Sequence, residues 1–529
     1  MPGGLVQVIA RGNQDAYLTS KPQVTNWKAV YRRHTIFATE SVEQVFNGNV
    51  DFGKKVVCTI QKLGDLVSKM YLRIKLPALG AGQCWCPRVG FALLKYLELR
   101  VGGTPCEKQD GSVWYNVRYE LEKDLNMSSA MDEMIGDTAA LTVPSVGGTP
   151  AHTLWVPLNF YCCRVDGLAV PLVATQYHDT QVEIEFNSLD KLVCGPNAAS
   201  ASASMVNCSL FADYVYLGNV ERKKFAESSH EYLIEQVQTN NGESVNSSSQ
   251  KFRIDFNHPC KALHAVIQQD KFVSGKKFLA WNPKNWEQTK IDATKRAALA
   301  FGTLDTATGM YDGHTSIADA DLKAAITAAK VSGVDICGNA LTDIDALIVV
   351  GSVLDDRYVS MTVTEWETAV GSTVVSARTS DSDNDGKAAL DCVVNDWTNF
   401  GMFLNRSGNP VSEILIQLNN SERLSKRDAC YYNYVQAVQC FKSAPTAGIN
   451  SYSFALHALD HQPSGTCNMS RIDNASIHID FVSKAWVNVA GVWTNVTVSP
   501  STAAKCYILA PSYNVFRSMG GMAGMGFNN

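Results

Sequence analysis

The sequence predicts an all-β chain built as two like antiparallel β-sandwich domains in tandem, with long loop insertions and a few short helices. Three observations carry this expectation. The chain is 529 residues long, more than one hydrophobic core supports, because single cores stop growing at roughly 250 to 300 residues. From Val42 onward, apolar residues alternate with period two in short runs closed by Gly, Asn, Asp and Pro, as in residues 56–60 and 70–76, and that spacing describes half-buried strands of a sandwich. The third observation is an internal repeat. Leu97-Glu98-Leu99-Arg100-Val101, Gly102-Gly103 and Trp114-Tyr115-Asn116 recur, at the same spacing, as Ile414-Leu415-Ile416-Gln417-Leu418, Asn419-Asn420 and Tyr431-Tyr432-Asn433.

Three weaker echoes flank that block in matching order. Glu43-Gln44 pairs with Glu235-Gln236, and Leu72-Arg73-Ile74 before Pro77 pairs with Phe252-Arg253-Ile254 before Pro259. Val182-Glu183-Ile184-Glu185-Phe186 pairs with Ile477-His478-Ile479-Asp480-Phe481. A duplicated β-domain follows, and two like domains suggest a building block more readily than a catalyst.

Taken in order, residues 1–40 hold no long helical pattern and read as an extended N-terminal arm, interrupted at Lys21-Pro22. Such an arm is ordered only against something else. Residues 41–218 form the first domain. Within it, 113–125 is helix-compatible, 127–149 is rich in Ser, Ala, Gly and Thr and reads as a long exposed loop, and strands resume at 153–156 and 210–217. Residues 219–230 carry Glu221-Arg222-Lys223-Lys224 and Glu227 and form an interdomain linker able to wind a short helix. The second domain spans 231–510 and contains an insertion at about 289–407, with helical composition at 318–331. Extra length of this kind is tolerated in loops at one end of a sandwich. The tail, 511–529, ends in a Gly- and Met-rich stretch that reads as flexible or as a docking segment.

Composition narrows the function classes. With 46% hydrophobic and 18% charged residues the chain has the balance of a soluble globular protein. No apolar run approaches the roughly 20 residues a bilayer crossing needs. Residues 1–12 lack the features of a secretory signal, and Pro2 stands where myristoylation requires glycine. A net charge of −5 argues against a surface made to neutralise phosphates, so direct nucleic-acid binding is not expected. Arg32-Arg33-His34, the densest basic spot near the N-terminus, reads as a solvated or interface segment. The 15 cysteines are scattered over a large chain, which points to reduced thiols rather than a disulfide framework.

Candidate chemical motifs fall short of their requirements. Asp381-Ser382-Asp383-Asn384-Asp385-Gly386 has the acidic spacing of a calcium loop, but Cys392 stands where the bidentate Glu should close it, with the shorter Asp391 beside it. An acidic surface turn is the plainer reading. His457 and His461 are four apart without a following Glu, after a segment that alternates like a strand, where one ion could not be gripped by both. Cys84-Trp85-Cys86 and Cys162-Cys163 lack the two-residue gap of a ribbon or redox motif. No Gly-x-Ser-x-Gly elbow is present, and Gly520-Gly521-Met522-Ala523-Gly524 lacks the strand-to-helix setting of a phosphate cradle. Asn-x-Ser/Thr sequons at Asn126, Asn207, Asn246, Asn405, Asn419, Asn468, Asn474 and Asn495 read as composition in a chain that is not secreted. No catalytic residue, cofactor or metal ligand is therefore assigned.

Several blocks are specific enough to name a family. Gly3-Gly4-Leu5-Val6-Gln7, Val30-Tyr31-Arg32-Arg33-His34-Thr35, Phe52-Gly53-Lys54-Lys55 and His230-Glu231-Tyr232-Leu233-Ile234-Glu235-Gln236 belong to this set. So do Phe256-Asn257-His258-Pro259, Gln462-Pro463-Ser464-Gly465-Thr466-Cys467-Asn468, Ser470-Arg471-Ile472-Asp473-Asn474-Ala475 and Tyr513-Asn514-Val515-x-Arg517. Together they closely resemble the major capsid proteins of nucleocytoplasmic large DNA viruses, nearest to the algal-virus branch, across nearly the whole chain except residues 289–407. The resemblance implies two consecutive eight-stranded jelly rolls, a homotrimer forming a pseudo-hexagonal capsomer, and capsomers tiling an icosahedral shell over an internal membrane. It further implies minor capsid and penton proteins as partners, a place in the virion after assembly in host cytoplasm, outward-facing loops at 127–149 and 289–407, and an inward-facing arm at 1–26. Two alternatives from other classes stand beside it: a carbohydrate-binding or glycoside-cleaving double sandwich, and a minor capsid or scaffolding relative.

Overall fold

Eight strands and a fixed pairing order are repeated twice along the chain. The computed structural model describes residues 2–269 and 409–527, apart from 28, 30, 81–82, 87, 124–126, 143–147, 195–200, 410, 444, 446–447, 482–483, 490–491 and 498–503. The first domain contains β1 (Phe37–Gln44), β2 (Lys55–Ile60), β3 (Leu66–Leu76), β4 (Leu94–Val101), β5 (Thr104–Asp110), β6 (His152–Pro157), β7 (Thr180–Phe186) and β8 (Asn207–Leu217). One sheet runs β1-β8-β3-β6 and the other β2-β7-β4-β5, all antiparallel. The second domain contains β9 (His230–Thr239), β10 (Ser249–Ile254), β11 (Ala262–Gln269), β12 (Val411–Leu418), β13 (Ser421–Asp428), β14 (Ile449–Ser453), β15 (Ala475–Phe481) and β16 (Ala504–Met519). Its sheets run β9-β16-β11-β14 and β10-β15-β12-β13. Each position is the first domain's strand plus eight, so both halves are jelly rolls of one topology.

Alternation in the sequence produces the two cores. In β3, Val67, Met70, Leu72, Ile74 and Leu76 point inward while Lys69 and Lys75 face water. Inward residues of its partners, such as Leu154, Val156, Leu210 and Tyr214, fill the same layer against Val182, Ile184, Leu97 and Leu99 of the facing sheet. The second core is a separate cluster built around Phe252, Ile267, Ile414, Ile416, Ile477, Ile479 and Ile508.

The strongest repeat in the sequence marks equivalent places. Gly102-Gly103 joins β4 to β5 and Asn419-Asn420 joins β12 to β13, and all four residues have positive φ (60°, 80°, 49° and 63°). Two-residue hairpin turns of this twist need left-handed backbone, which Gly and Asn supply at least cost. Each second strand then leads into helix. In the first domain this is α1 (Gly111–Glu122), capped by Asp110, whose side chain accepts from Val113 N. In the second it is the π-turn Tyr431–Val435 continued by a helix at Gln436–Cys440. Tyr115 and Tyr432 are buried alike, and so are Asn116 and Asn433.

Two of the weaker echoes also coincide with equivalent strands: Glu43-Gln44 with Glu235-Gln236 on β1 and β9, and residues 182–186 with 477–481 on β7 and β15. The remaining echo does not. Leu72-Arg73-Ile74 lies on β3, whose counterpart is β11, whereas Phe252-Arg253-Ile254 lies on β10, the counterpart of β2. Half-buried strands share an alternating apolar pattern whatever their place in a sheet.

Other expectations need correction. The N-terminal arm is wound into short helices at Gly3–Ile9 and Ala16–Thr19, and β1 begins at Phe37, inside the stretch assigned to the arm. Residues 127–149 are not simply an exposed loop: helices Ser128–Ile135 and Ala139–Thr142 insert Ile135 and Leu141 into the first core. The Ser128–Ile135 helix closes on Gly136 in the left-handed conformation, φ 81°. A domain end at 510 would cut β16, which runs unbroken from Ala504 to Met519. Of the two readings of the tail, flexible or docking, the second holds here: Met522–Met525 folds back as a strand on β16. The linker does wind a helix, Asn219–Glu227. The insertion at 289–407, its helical stretch and the acidic turn at 381–386 lie outside the described residues.

Candidate functional site

For a chain of two like domains, the informative sites are the joint between them and the faces left uncovered. The joint is built mainly on the outer face of the second domain's β9-β16-β11-β14 sheet. β11 is buried on both sides from Ala262 to Gln268. Its inward residues Leu263, Ala265 and Ile267 belong to the second core, while Val266, with Ile449 of β14 and Leu509 of β16, packs into the first domain's core. The α1 helix lies against this face. Trp114 meets His264 at 6.1 Å between ring centroids, and Phe441 meets the other side of that imidazole at 5.7 Å. The backbone N–H of Ser443 donates to the carbonyl of Leu121 at 3.1 Å.

A buried ionic cluster fastens the edge of the joint. Arg164 ends the short helix Tyr161–Arg164 and reaches Glu107 of β5 at 2.9 Å and Glu235 of β9 at 3.1 Å. Its Nε and Nη2 donate to the Asn159 carbonyl at 3.0 and 2.8 Å. Lys261 donates to Glu235 at 2.5 Å and to the Asp460 carbonyl at 2.7 Å, and its ammonium sits 5.2 Å from the Tyr513 ring centroid. His461 Nδ1 is 3.6 Å from Glu235. Burial works against ionised Glu235, but His461, Arg164 and Lys261 together outweigh it and hold this carboxyl at about 2. Burial dominates at Glu107 and Lys261, raising Glu107 despite Arg164 and lowering Lys261 despite Glu235. A cavity of about 410 Å³ opens beside the cluster, lined among others by Arg118, Glu122, Lys442 and His461. A carboxylate so fully matched by cations is poised to hold two domains together, not to move protons.

The C-terminal strand completes the joint. The Ala523 N–H donates to His178 Nδ1 at 3.1 Å, Tyr177 N–H donates to the Gly521 carbonyl at 3.1 Å, and the Ser518 hydroxyl donates to the Ala174 carbonyl at 3.2 Å. Phe516 stacks between Tyr161 at 5.9 Å and Tyr232 at 6.2 Å.

Uncovered apolar side chains gather, among other places, on the arm and on one sheet face. The arm exposes Leu5, Val8, Ile9, Tyr17, Leu18 and Trp27, and its first helix buries nothing. On the first domain's β1-β8-β3-β6 sheet, the outer face carries Tyr71, Arg73, Trp155 and Phe211 in adjacent strands. Trp155 and Phe211 are 4.9 Å apart between centroids, and the Arg73 guanidinium lies 5.8 Å from the Trp155 ring.

The motifs weighed in the sequence do not converge on one place. The segment before His457 and His461 is a strand as expected, β14, but it ends at Ser453; His457, which is exposed, and His461 lie in bends beyond it. Cys84 and Cys86 are buried around a short strand, and Cys162 is buried beside Cys163. Asn207, Asn246, Asn419, Asn468 and Asn474 are exposed. Among the described residues no cluster of His, Cys, Asp and Glu is arranged to hold a metal, and no helix is long and apolar enough to cross a membrane. The ionic cluster was invisible in the sequence, since Glu107, Arg164, Glu235, Lys261 and His461 are far apart along the chain.

Comparison with known proteins gives a consistent result. Residues 221–524 match the family described as large eukaryotic DNA virus major capsid protein, and residues 25–218 match the one described as major capsid protein N-terminus. The chain is 35% identical to the major capsid protein of Phaeocystis pouchetii virus and 31% identical to that of Paramecium bursaria Chlorella virus 1, with all of both chains covered in each case. It is 33% identical to capsid protein 1 of Acanthamoeba polyphaga mimivirus, again over the full length of both. Among solved structures it is similar to a quasi-atomic model of the PBCV-1 virus capsid, with a TM-score of 0.63, 26% identity, and coverage of 96% of this chain and 100% of the other.

Proposed function

The chain belongs to the major capsid protein family of large eukaryotic DNA viruses, and from that membership we propose that three copies close into a pseudo-hexagonal capsomer, the tile of an icosahedral shell. Membership also places the protein in the virion and makes its work structural. The sugar-binding or sugar-cleaving alternative finds no support beside it.

The observation that carries the trimer is the exact repetition of strand order in two rigidly joined domains. Each domain supplies one wall of similar shape, so three chains present six similar walls to their neighbours, and a hexagonal lattice needs six. The buried ionic cluster and the stacked aromatics fix the angle between the walls, which a tile must keep constant. Capsomers then pack edge to edge by weaker contacts under mass action.

The exposed arm suits an inward role. Its apolar side chains are exposed in a single chain, which fits a segment that becomes ordered against minor capsid or penton proteins near an internal membrane. Assembly in host cytoplasm agrees with cysteines kept as thiols, since the described ones form no disulfide.

Light scattering on the purified protein tests the reading. A stable particle of three chain masses is expected, and a protein that stays monomeric at concentrations of tens of micromolar would overturn it.

A further inference from the structure

The duplication says more than that subunits associate, because each domain has the same two complementary surfaces and only one pair of them meets inside the chain. The first domain's helical block, with Trp114 and Leu121 on α1, covers the outer face of the second domain's β9-β16-β11-β14 sheet. The second domain has a matching helical block, and the first domain has a matching sheet face. Neither is covered.

The positions correspond residue by residue. With Trp114-Tyr115-Asn116 aligned on Tyr431-Tyr432-Asn433, Arg118 and Leu121 fall opposite Val435 and Val438. Arg118 lines the junction cavity and the Leu121 carbonyl accepts from Ser443. Their counterparts are exposed apolar side chains, Val435 at 42% and Val438 at 79%, and Tyr434 beside them is 45% exposed. These three lie at i, i+1 and i+4, on one side of the helix. The uncovered sheet face on the other side of the molecule carries Tyr71, Arg73, Trp155 and Phe211. Exposed apolar side chains gathered on one helix face, and an aromatic strip on an open sheet, are the marks of surfaces meant to be buried.

We propose that Tyr434, Val435 and Val438 of one subunit dock onto the Tyr71, Arg73, Trp155 and Phe211 face of the next subunit's first domain. The contact between chains thereby repeats the contact within each chain. An unlike-surface contact of this sort forms rings when its rotation closes. The occupant of the face is a second copy of this chain because the internal joint already shows the same two kinds of surface in contact. This inference rests on the trimer reading and adds to it the residues that make the trimer.

The test uses full-length protein with a photo-crosslinking amino acid at position 438, prepared from a mixture of isotopically light and heavy chains. Crosslinks between light and heavy peptides should join position 438 to the peptides containing Tyr71–Arg73 or Trp155. In parallel, Val438→Asp should convert the trimer to monomer on light scattering while leaving the monomer's unfolding midpoint unchanged, because the side chain is exposed in the single chain. Wild-type trimer whose crosslinks map elsewhere, or Val438→Asp protein that stays fully trimeric, overturns the inference and leaves the trimer standing. A wild-type protein that never trimerises overturns both.

Discussion

The outer faces of the two equivalent sheets have the same strands behind them and opposite surroundings. In the second domain, β11 is buried on both sides because the first domain lies on it. In the first domain, the corresponding β3 alternates buried and open residues, with Lys69, Arg73 and Lys75 toward solvent. The difference teaches that one fold, used twice, can spend one copy of a surface on joining its own halves and keep the other for neighbours.

The covered face should be far more sensitive to truncation than the open one. Removing a partner from a buried ion pair leaves an uncompensated charge, at a cost of about 3 to 5 kcal/mol. Arg164→Ala, which strands Glu107 and takes one of its cations from Glu235, should therefore lower stability by that amount in guanidinium unfolding. Arg73→Ala on the open face should change it by less than about 1 kcal/mol. Equal losses would break the comparison. Next in size, Trp114→Ala empties a packed site between domains and should cost roughly 3 kcal/mol, read as a fall in the thermal or denaturant midpoint.

The hairpin turns offer a finer contrast. A Cβ at Gly102 would stand 2.3 Å from His178 Nδ1, and φ there is 60°. Gly102→Ala should cost about 1 to 3 kcal/mol, whereas Asn419→Gly in the matching turn should shift stability by only a few tenths of a kcal/mol. Differential scanning calorimetry on the two variants measures both.

A last contrast, about 1.4 kcal/mol for each pH unit, is a slope with pH. Burial holds His264 at about 3, below the ordinary 6.5. The unfolded chain therefore takes up that proton first as pH falls, and stability should decline by about 1.4 kcal/mol per unit from about pH 6.5. Glu235, held at about 2, adds a loss of the same sign only below its ordinary value near 4.5. Unfolding curves of the wild type and His264→Gln between pH 6.5 and 4.5 should separate the histidine's share, with a flatter slope in the variant.

The sequence made the scaffold readable where local chemistry dictates it. The Gly102-Gly103 and Asn419-Asn420 turns were legible because few residues adopt positive φ, and the alternation at 70–76 was legible because water lies on one side of that strand. The segment at 127–149 misled because Ser, Ala and Gly suit loops, yet two apolar residues, Ile135 and Leu141, suffice to pin its helices to the core. The echo at Leu72-Arg73-Ile74 misled because alternation reports burial and not position in a sheet. The joint was out of reach. Its charges come from distant segments brought together only by the finished fold, and the burial of both faces of β11 could be known only once the first domain was in place.

The strand Met522–Met525 has a consequence in time. Chains emerge from the ribosome N-terminal end first, and domains fold as they appear, so the first jelly roll can be complete while its clasp is still unmade. His178 receives its hydrogen bond from Ala523 only after the second domain has followed the first. Chains cut before Gly521 would therefore keep the ionic cluster and lose the hydrogen bonds at Tyr177 and His178. Because a tile needs a fixed angle between its walls, such chains should fit poorly into a growing shell.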